Sequence, residues 1–251
     1  MNIAIVTGAS SGLGVEFYKE LQKQALDEVW VIARREDKLR ECCESFGKIK
    51  SRIIPMDITL KESVHKLEEM LDEEKPSIKF LINNAGFGVL GLIEDGNFES
   101  QGAMVDLNAR ALTEITSIAL KHMNNKSYII NTCSIAAFVP NAKLTVYSST
   151  KAYVMSFSRG LRQELKKRRI NVTAVCPGPM STEFLAVAGI HDGSSKMFDM
   201  LPRTKTEIVA KGAIRAAIKG RAVYTPHLLF KVYRVLAKIL PHSLLLPICK
   251  C

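Results

Sequence analysis

Tyr147 and Lys151, four residues apart, are the side chains of this sequence best suited to proton transfer. Residues at this spacing lie one turn apart on the same face of a helix. A free tyrosine has a pKa of about 10 and is a poor acid or base at neutral pH. An ammonium group beside it favours the phenolate, so we expect Lys151 to lower the pKa of Tyr147. Ser134, thirteen residues earlier, supplies a hydroxyl that can hold a substrate oxygen. The set predicts carbonyl/alcohol interconversion, provided that a hydride carrier binds beside it.

The Tyr-x-x-x-Lys spacing is common, and a chance pair on a helix surface would share it. The amino-terminal sequence favours the chemical interpretation. Residues 3–6 form a short apolar run, typical of a strand buried on both faces of a parallel sheet, and the glycine-rich residues 7–14 follow at once. A glycine-rich turn between a strand and a helix lets the backbone approach a pyrophosphate. The spacing is G-x-x-x-G-x-G, not the commoner G-x-G-x-x-G.

These motifs resemble those of the short-chain dehydrogenase/reductase family, and the resemblance covers most of the chain. The family's T-G-x-x-x-G-x-G corresponds to residues 7–14, and its N-N-A-G after the fourth strand corresponds to residues 83–86. Its helix asparagine, which supports a water relay to the lysine, matches Asn108. The resemblance therefore implies a catalytic set of four residues: Ser134, Tyr147, Lys151 and Asn108.

The resemblance also implies a nicotinamide dinucleotide site. Asp57 matches the acid that contacts the adenine, and Thr182 matches the hydroxyl residue near the nicotinamide amide. The implied cofactor-binding residues are Gly8, Ser10, Ser11, Gly12, Leu13, Gly14, Arg34, Arg35, Asp57, Ile58, Asn84, Ala85, Gly86, Tyr147, Lys151, Pro177, Gly178 and Thr182.

The end of the second predicted strand favours NADP(H) over NAD(H). NAD enzymes usually place an acid there for the ribose 2′-OH, whereas NADP enzymes place an arginine against the 2′-phosphate. This chain has Arg34 and Arg35 there, and a guanidinium fork fits phosphate oxygens. Either arginine could instead be a solvated surface residue. Ser11 stands where some NADP enzymes of the family carry a second basic residue, which leaves room for dual specificity.

Strand-like runs alternate with helical stretches along the 251 residues, as βαβ units do. We expect an α/β fold, a single Rossmann-type doubly wound domain with a seven-stranded parallel sheet and helices on both faces. This domain should span residues 1–225, and an amphipathic extension should span residues 226–251. No apolar stretch reaches transmembrane length, and the first predicted strand begins at Asn2, which predicts that no signal peptide precedes it.

Charge is unevenly divided along the chain. Residues 1–125 carry 15 Lys/Arg and 20 Asp/Glu, whereas residues 126–251 carry 20 and 5. Part of the excess is the basic run 166–169, which we expect to complement the dipole at the end of the catalytic helix. No nucleic-acid motif or aromatic platform accompanies it, so we predict no nucleic-acid binding. The six cysteines and five histidines lack metal-ligand spacing, which predicts a reducing, cytoplasmic setting and no metal.

The carboxyl-terminal extension contains a predicted basic amphipathic helix. Lys231, Arg234 and Lys238 fall on one helical face, and the leucine-rich residues fall largely opposite. This pattern is typical of an interfacial membrane anchor. A helix packed over the substrate cleft, or one in a subunit interface of a homodimer or homotetramer, would leave the same pattern. All three interpretations stay open at this stage.

The segment at about residues 178–205 is predicted to be a flexible, mostly apolar substrate lid. Apolar residues also flank the active-site motifs at 87–90 and 138–140. The sequence therefore predicts an NADP(H)-dependent oxidoreductase for an apolar carbonyl or alcohol, such as a hydroxysteroid, a bile-acid-like molecule or a fatty-acyl ketone. The alternative is a nucleotide-sensing or membrane-surface protein on the same fold with little turnover.

Overall fold

The computed structural model describes residues 1–189 and 201–246. Its centre is a seven-stranded, all-parallel sheet in the order β3-β2-β1-β4-β5-β6-β7. The strands are β1 Asn2–Thr7, β2 Glu28–Ala33, β3 Lys50–Pro55, β4 Ser77–Asn83, β5 Tyr128–Thr132, β6 Asn171–Val175 and β7 Val223–Tyr224. The predicted fold class is confirmed.

Helices connect successive strands and cover the sheet. They are α1 Gly12–Leu21, α2 Glu36–Phe46, α3 Lys61–Glu74, α4 Phe98–Val105, α5 Leu112–Leu120, α6 Thr145–Glu164, α7 Glu183–Val187, α8 Thr206–Ile218, α9 Leu228–Ile239 and α10 His242–Leu245. A π-helical segment, Asp106–Ala111, joins α4 to α5, and a 3₁₀ turn, Ile135–Ala137, follows β5. Among the described residues, no helix is long and apolar enough to cross a membrane.

Two hydrophobic layers arise from the alternation of side chains along the buried strands. In β1, Ile3 and Ile5 face α3, α5 and α6, and they pack in one core with Leu67 of α3. Ala4 and Val6 point to the other face and pack with helices α1, α2 and α8. Both faces of the sheet are thus covered, as a doubly wound fold requires.

The basic run at residues 166–169 lies at the carboxyl end of the helix that carries Tyr147 and Lys151. Helix α6 ends at Glu164, so the run lies in the turn that follows the helix. Arg168 donates hydrogen bonds to the carbonyls of Leu120, at 3.1 Å, and Met123. Arg168 therefore satisfies carbonyl groups at and just beyond the carboxyl end of α5.

The strand order reverses between β1 and β4. Strands β2 and β3 are added on one side of β1, and strands β4 to β7 are added on its other side. In open α/β sheets, ligands bind outside the carboxyl ends of the strands at such a switch point. This edge is where the predicted motifs converge.

Candidate active site

A large cavity of about 1400 Å³ lies at the carboxyl edge of the sheet. All the sequence-predicted site residues line it except Gly14 and Asn108, which lie just behind its wall. The lining predicted residues are Gly8, Ser10, Ser11, Gly12, Leu13, Arg34, Arg35, Asp57, Ile58, Asn84, Ala85, Gly86, Ser134, Tyr147, Lys151, Pro177, Gly178 and Thr182. Segments separated by more than 170 residues in sequence thus meet at one edge.

The glycine turn between β1 and α1 has no room for side chains. Gly8 and Gly12 have φ of +67° and +53°, in the left-handed region that favours glycine. A Cβ on Gly14 would lie 2.0 Å from the carbonyl oxygen of Gly8. Ser11, at the amino end of α1, makes no side-chain capping bond, so the first N–H groups of the helix are left for a ligand. A bare backbone cradle at a helix amino terminus fits a dinucleotide pyrophosphate.

The segment 83–86 clamps this turn to the sheet. Thr7 Oγ1 accepts hydrogen bonds from the backbone N–H groups of Asn84 and Ala85 at 3.0 and 3.2 Å. Asn84 Nδ2 donates to the carbonyls of Thr7 and Gly8 at 3.3 and 3.2 Å, and Thr132 Oγ1 donates to Asn84 Oδ1 at 3.2 Å. The carboxyl ends of β1, β4 and β5 are held together, which fixes the floor of the cavity.

Tyr147 and Lys151 lie on the buried face of α6, where they are 9% and 4% exposed. Lys151 Nζ donates to the carbonyl of Thr132 at 2.8 Å and lies 5.7 Å from the centroid of the Tyr147 ring. Ser134 Oγ accepts a hydrogen bond from Ala136 N at 3.1 Å, and Ser134 and Tyr147 both line the cavity. The serine and the tyrosine therefore lie together at the cavity floor.

Asn108 lies in the π-helical segment, and π-bulges are frequent at functional sites. Its side chain accepts from Phe87 N at 3.0 Å and donates to Phe87 O and Thr150 Oγ1 at 2.8 and 3.1 Å. A Cβ on Gly86 would lie 2.7 Å from Asn108 Oδ1 and 3.4 Å from Lys151 Nζ. Asn108 and Lys151 thus approach each other beside Gly86, and the lack of a side chain on Gly86 leaves the space between them open.

Comparison with known proteins decides the family. A model of short chain dehydrogenases matches residues 2–191. An uncharacterized oxidoreductase of Staphylococcus saprophyticus is 35% identical over 185 residues, covering 72% of this chain and 79% of that protein. The chain belongs to the short-chain dehydrogenase/reductase family.

Solved structures repeat this short-chain dehydrogenase fold over nearly the whole chain. A bulky-bulky ketone specific alcohol dehydrogenase from Comamonas testosteroni has a TM-score of 0.75 at 25% identity, covering 96% of this chain and 95% of that one. A short-chain dehydrogenase from Sphingobium yanoikuyae in complex with NADPH has a TM-score of 0.79 at 24% identity, covering 96% and 97%. One from Burkholderia phymatum in complex with NAD has a TM-score of 0.82 at 17% identity, covering 94% and 92%.

The pKa of Tyr147 differs from the sequence-based expectation. Burial raises the pKa of Tyr147, and the hydrogen bond with Ser134 opposes this only in part. Lys151 does not lower it, because the ammonium is turned to the carbonyl of Thr132 and burial lowers the pKa of Lys151 itself. In the protein alone, Tyr147 is therefore a protonated phenol at neutral pH.

The two arginines at the end of β2 have different partners. Arg34 is 78% exposed, with its Nη1 3.9 Å from Asp57 Oδ2. Arg35 Nη2 donates to Ser10 Oγ at 3.3 Å and to Glu183 Oε2 at 2.8 Å. Both side chains line the cavity next to the glycine turn, so both can reach a ribose phosphate bound there.

The end of the cavity opposite the glycine turn is apolar. The Phe184 ring lies 5.5 Å from the Tyr147 ring, between centroids. Leu229, Phe230 and Tyr233 of α9 line this end of the cavity, as expected if the predicted amphipathic helix packs over the substrate cleft. Phe138 and Val139 do not line the cavity and instead pack beneath the tail. The lid residues 190–200 lie outside the described residues.

Thr132 and Thr150 escaped the sequence-based site, and Thr7 entered it only as the first residue of the glycine-rich motif. Thr7, Thr132 and Thr150 hold the motif residues Asn84, Lys151 and Asn108 through the hydrogen bonds given above. Only their adjacency to motif residues could have indicated them.

Proposed function

We propose that this protein is an NADP(H)-dependent oxidoreductase that interconverts a ketone or aldehyde and an alcohol on an apolar substrate. The observation that carries the proposal is the placement of Tyr147 and Ser134 together in the lining of a cavity whose opposite wall is apolar. The site offers a proton donor for one substrate oxygen and an apolar wall for the rest of the substrate. This combination favours an apolar substrate with a single reacting carbonyl.

The nicotinamide ring of the bound cofactor supplies the hydride in reduction and accepts it in oxidation. Tyr147 Oη gives its proton to the substrate oxygen in reduction and takes it back in oxidation. Ser134 Oγ donates a hydrogen bond to the same oxygen and so orients the carbonyl. Lys151 is held by the carbonyl of Thr132, on the same helical face as Tyr147, and it approaches the side chain of Asn108. The proton that Tyr147 gives up can be replaced from solvent by way of Asn108 and Lys151. General acid–base catalysis of this kind typically contributes ~10²–10⁴-fold to the rate.

The apolar wall supports a bulky hydrophobic substrate, of which a hydroxysteroid, a bile-acid-like molecule and a fatty-acyl ketone are the three classes we propose. Phe184 of α7 and the residues Leu229 and Tyr233 of α9 contribute to this wall. The similar Comamonas enzyme is named as specific for bulky-bulky ketones, which fits a cavity of this size.

Preference for NADP(H) is supported by Arg34 and Arg35, which stand beside the glycine turn with no acid at the end of β2. Glu36, the next residue, bonds Arg40 within α2 and so does not replace the missing acid. The similar solved structures hold NADPH in one case and NAD in another, so the preference is argued from these residues alone.

The proposal is tested by incubating the protein with a panel of steroid, bile-acid and fatty-acyl ketones and following NADPH absorbance. We expect oxidation of NADPH with at least one bulky apolar ketone and little with acetone or acetaldehyde. Tight NADPH binding without turnover on any class would favour the alternative of a nucleotide-sensing protein.

The protein's setting is also part of the proposal. Cys42, Cys43, Cys133 and Cys176 are unpaired thiols, which agrees with a reducing compartment, and we place the protein in the cytoplasm. The homodimer or homotetramer stays a prediction, and size-exclusion chromatography with light scattering would decide it.

A further inference from the structure

Helix α9 presents an aliphatic face away from the protein. The residues that it turns inward are Phe230, Tyr233 and Ala237. On the opposite side, Leu228 and Ile239 are each 71% exposed. The other apolar residues of this outward face are half exposed: Leu229, Val232, Val235 and Leu236. Leu244 and Leu246, just beyond the helix, are exposed as well. An apolar strip of this length on one helix marks an interaction site.

The orientation of α9 is set by close packing. Phe230 is 1% exposed and fits against Gly178, where an added Cβ would lie 2.1 Å from the phenylalanine ring. The rings of Tyr233 and Phe138 lie 5.8 Å apart, between centroids. Ala237 packs against the small cluster around Val139. The helix therefore cannot roll to bury its outward face without losing these contacts.

Basic groups border the outward face. Beside Val235 and Ile239 lies a second cavity, of about 460 Å³, lined by the cationic side chains of Arg159, Arg234 and Lys238. Arg234 donates to Thr225 Oγ1 at 3.5 Å, and none of the salt bridges among the described residues involves the three cations. Residues 208–251 contain eight Lys/Arg and no Asp or Glu.

We propose that α9 binds the surface of an anionic phospholipid bilayer. Its aliphatic face lies in the boundary between headgroups and acyl chains, and Arg159, Arg234 and Lys238 surround a headgroup phosphate. An apolar face flanked by cations has the composition of an interfacial helix, and basic clusters beside such helices recognise anionic lipids.

Charge decides between the bilayer and a second copy of the chain. A symmetric contact through α9 brings the same patch of each copy together, so cations would meet cations. No acid within residues 208–251 is available to compensate them. An anionic bilayer satisfies both the apolar face and the cations.

One consequence rests on the proposed function. Leu229 lies on the outward face and also lines the main cavity, next to Phe230 and Tyr233. A hydrophobic substrate dissolved in the bilayer would therefore enter the cavity beside α9 without crossing water. The binding test below does not depend on turnover, so the two proposals can fail separately.

The test is flotation of the full-length protein with vesicles of phosphatidylcholine alone or with about one third phosphatidylglycerol. We expect binding to the anionic vesicles only, weakened by raised salt. The double variant Val232→Glu/Ile239→Glu should abolish binding. Ile208→Glu, a change at a 56% exposed isoleucine on α8, is the matched control and should bind normally. Unchanged NADPH affinity and thermal melting in all variants would show that folding is intact.

The cation cluster has its own variant. Arg159→Gln/Lys238→Gln should weaken binding to anionic vesicles by at least about tenfold, since each cation near an anionic surface contributes about 1 kcal/mol. Binding that the double glutamate variant retains would overturn the proposal. So would titrations in which inorganic phosphate binds the cluster while vesicles do not. Absence of vesicle binding together with a smaller oligomer in Val232→Glu/Ile239→Glu would assign the face to a second copy instead.

Discussion

Arg35 and Glu183 are bridged across the mouth of the cavity, with 2.8 Å between Nη2 and Oε2, although they lie 148 residues apart in sequence. Arg35 precedes α2 and belongs to the candidate 2′-phosphate site, whereas Glu183 begins α7, which carries Phe184 onto Tyr147. Arg35 lowers the pKa of the Glu183 carboxyl, so this group is an anion at neutral pH. A cofactor phosphate and Glu183 therefore compete for one guanidinium.

Removing this competition should strengthen NADPH binding. In Glu183→Gln, we expect the Kd for NADPH to fall about three- to tenfold, a modest gain because both partners are largely exposed. The Kd for NADH, which lacks the 2′-phosphate, should not change. Isothermal titration calorimetry measures both, with Glu164→Gln on the far end of α6 as the control. An unchanged or weaker NADPH affinity would show that Glu183 does not oppose the phosphate.

Arg34 should carry the cofactor preference most directly, since it is exposed beside Asp57, whereas Arg35 is paired with Glu183. We expect the protein to bind NADPH at least tenfold tighter than NADH, which needs only ~1.4 kcal/mol, less than one charge-assisted phosphate contact supplies. Arg34→Asp should erase or reverse this preference, while Arg40→Asp on α2 should leave it intact. Equal affinities for the two cofactors in the unmodified protein would contradict the assignment of NADP(H).

The raised pKa of Tyr147 predicts opposite pH profiles for the two directions. Reduction needs the protonated phenol, so kcat/KM for a ketone should be flat through neutral pH and fall only at high pH. Oxidation needs the phenolate, so kcat/KM for the alcohol should rise with pH over the neutral and alkaline range. Profiles measured for one ketone/alcohol pair check this. A reduction rate that falls between pH 6 and 8 would mean that Tyr147 titrates lower in the working enzyme.

Gly178 should be intolerant of a side chain, because a Cβ there would meet the Phe230 ring at 2.1 Å. We expect Gly178→Ala to lower the free energy of unfolding by about 1–3 kcal/mol, the usual cost of overpacking, and to raise KM for bulky substrates by moving α9. Gly160→Ala is the control: nothing lies within 4 Å of an added Cβ there, and alanine is the better helix former. Denaturant unfolding measures both, and equal stabilities would refute the packing account.

The parts of the site whose geometry is determined by a short stretch of sequence could be predicted from their motifs. The glycine turn follows from residues 7–14 themselves, because the tight backbone contacts of Gly8 and Gly14 allow no side chain. The Tyr147/Lys151 pair follows from helical spacing, and seven parallel strands follow from alternating apolar and helical stretches.

Features set by distant packing could not be foreseen. The pKa of Tyr147 depends on its burial at the cavity floor, and this outweighs the neighbouring ammonium that the sequence places beside it. The Arg35–Glu183 bridge joins residues from two different edges of the cavity. The amphipathic pattern of α9 was visible in the sequence, but which face turns outward is decided by the fit of Phe230 against Gly178.

Tyr147 transfers the proton to the substrate, and binding of NADPH does not depend on its hydroxyl group. The most direct test compares Tyr147→Phe with the unmodified protein on a ketone that the substrate panel identifies, together with NADPH affinity. We predict that turnover falls by ~10²–10⁴-fold while the Kd for NADPH changes little. Near-normal turnover in Tyr147→Phe would contradict the account, because another group would then be the proton donor.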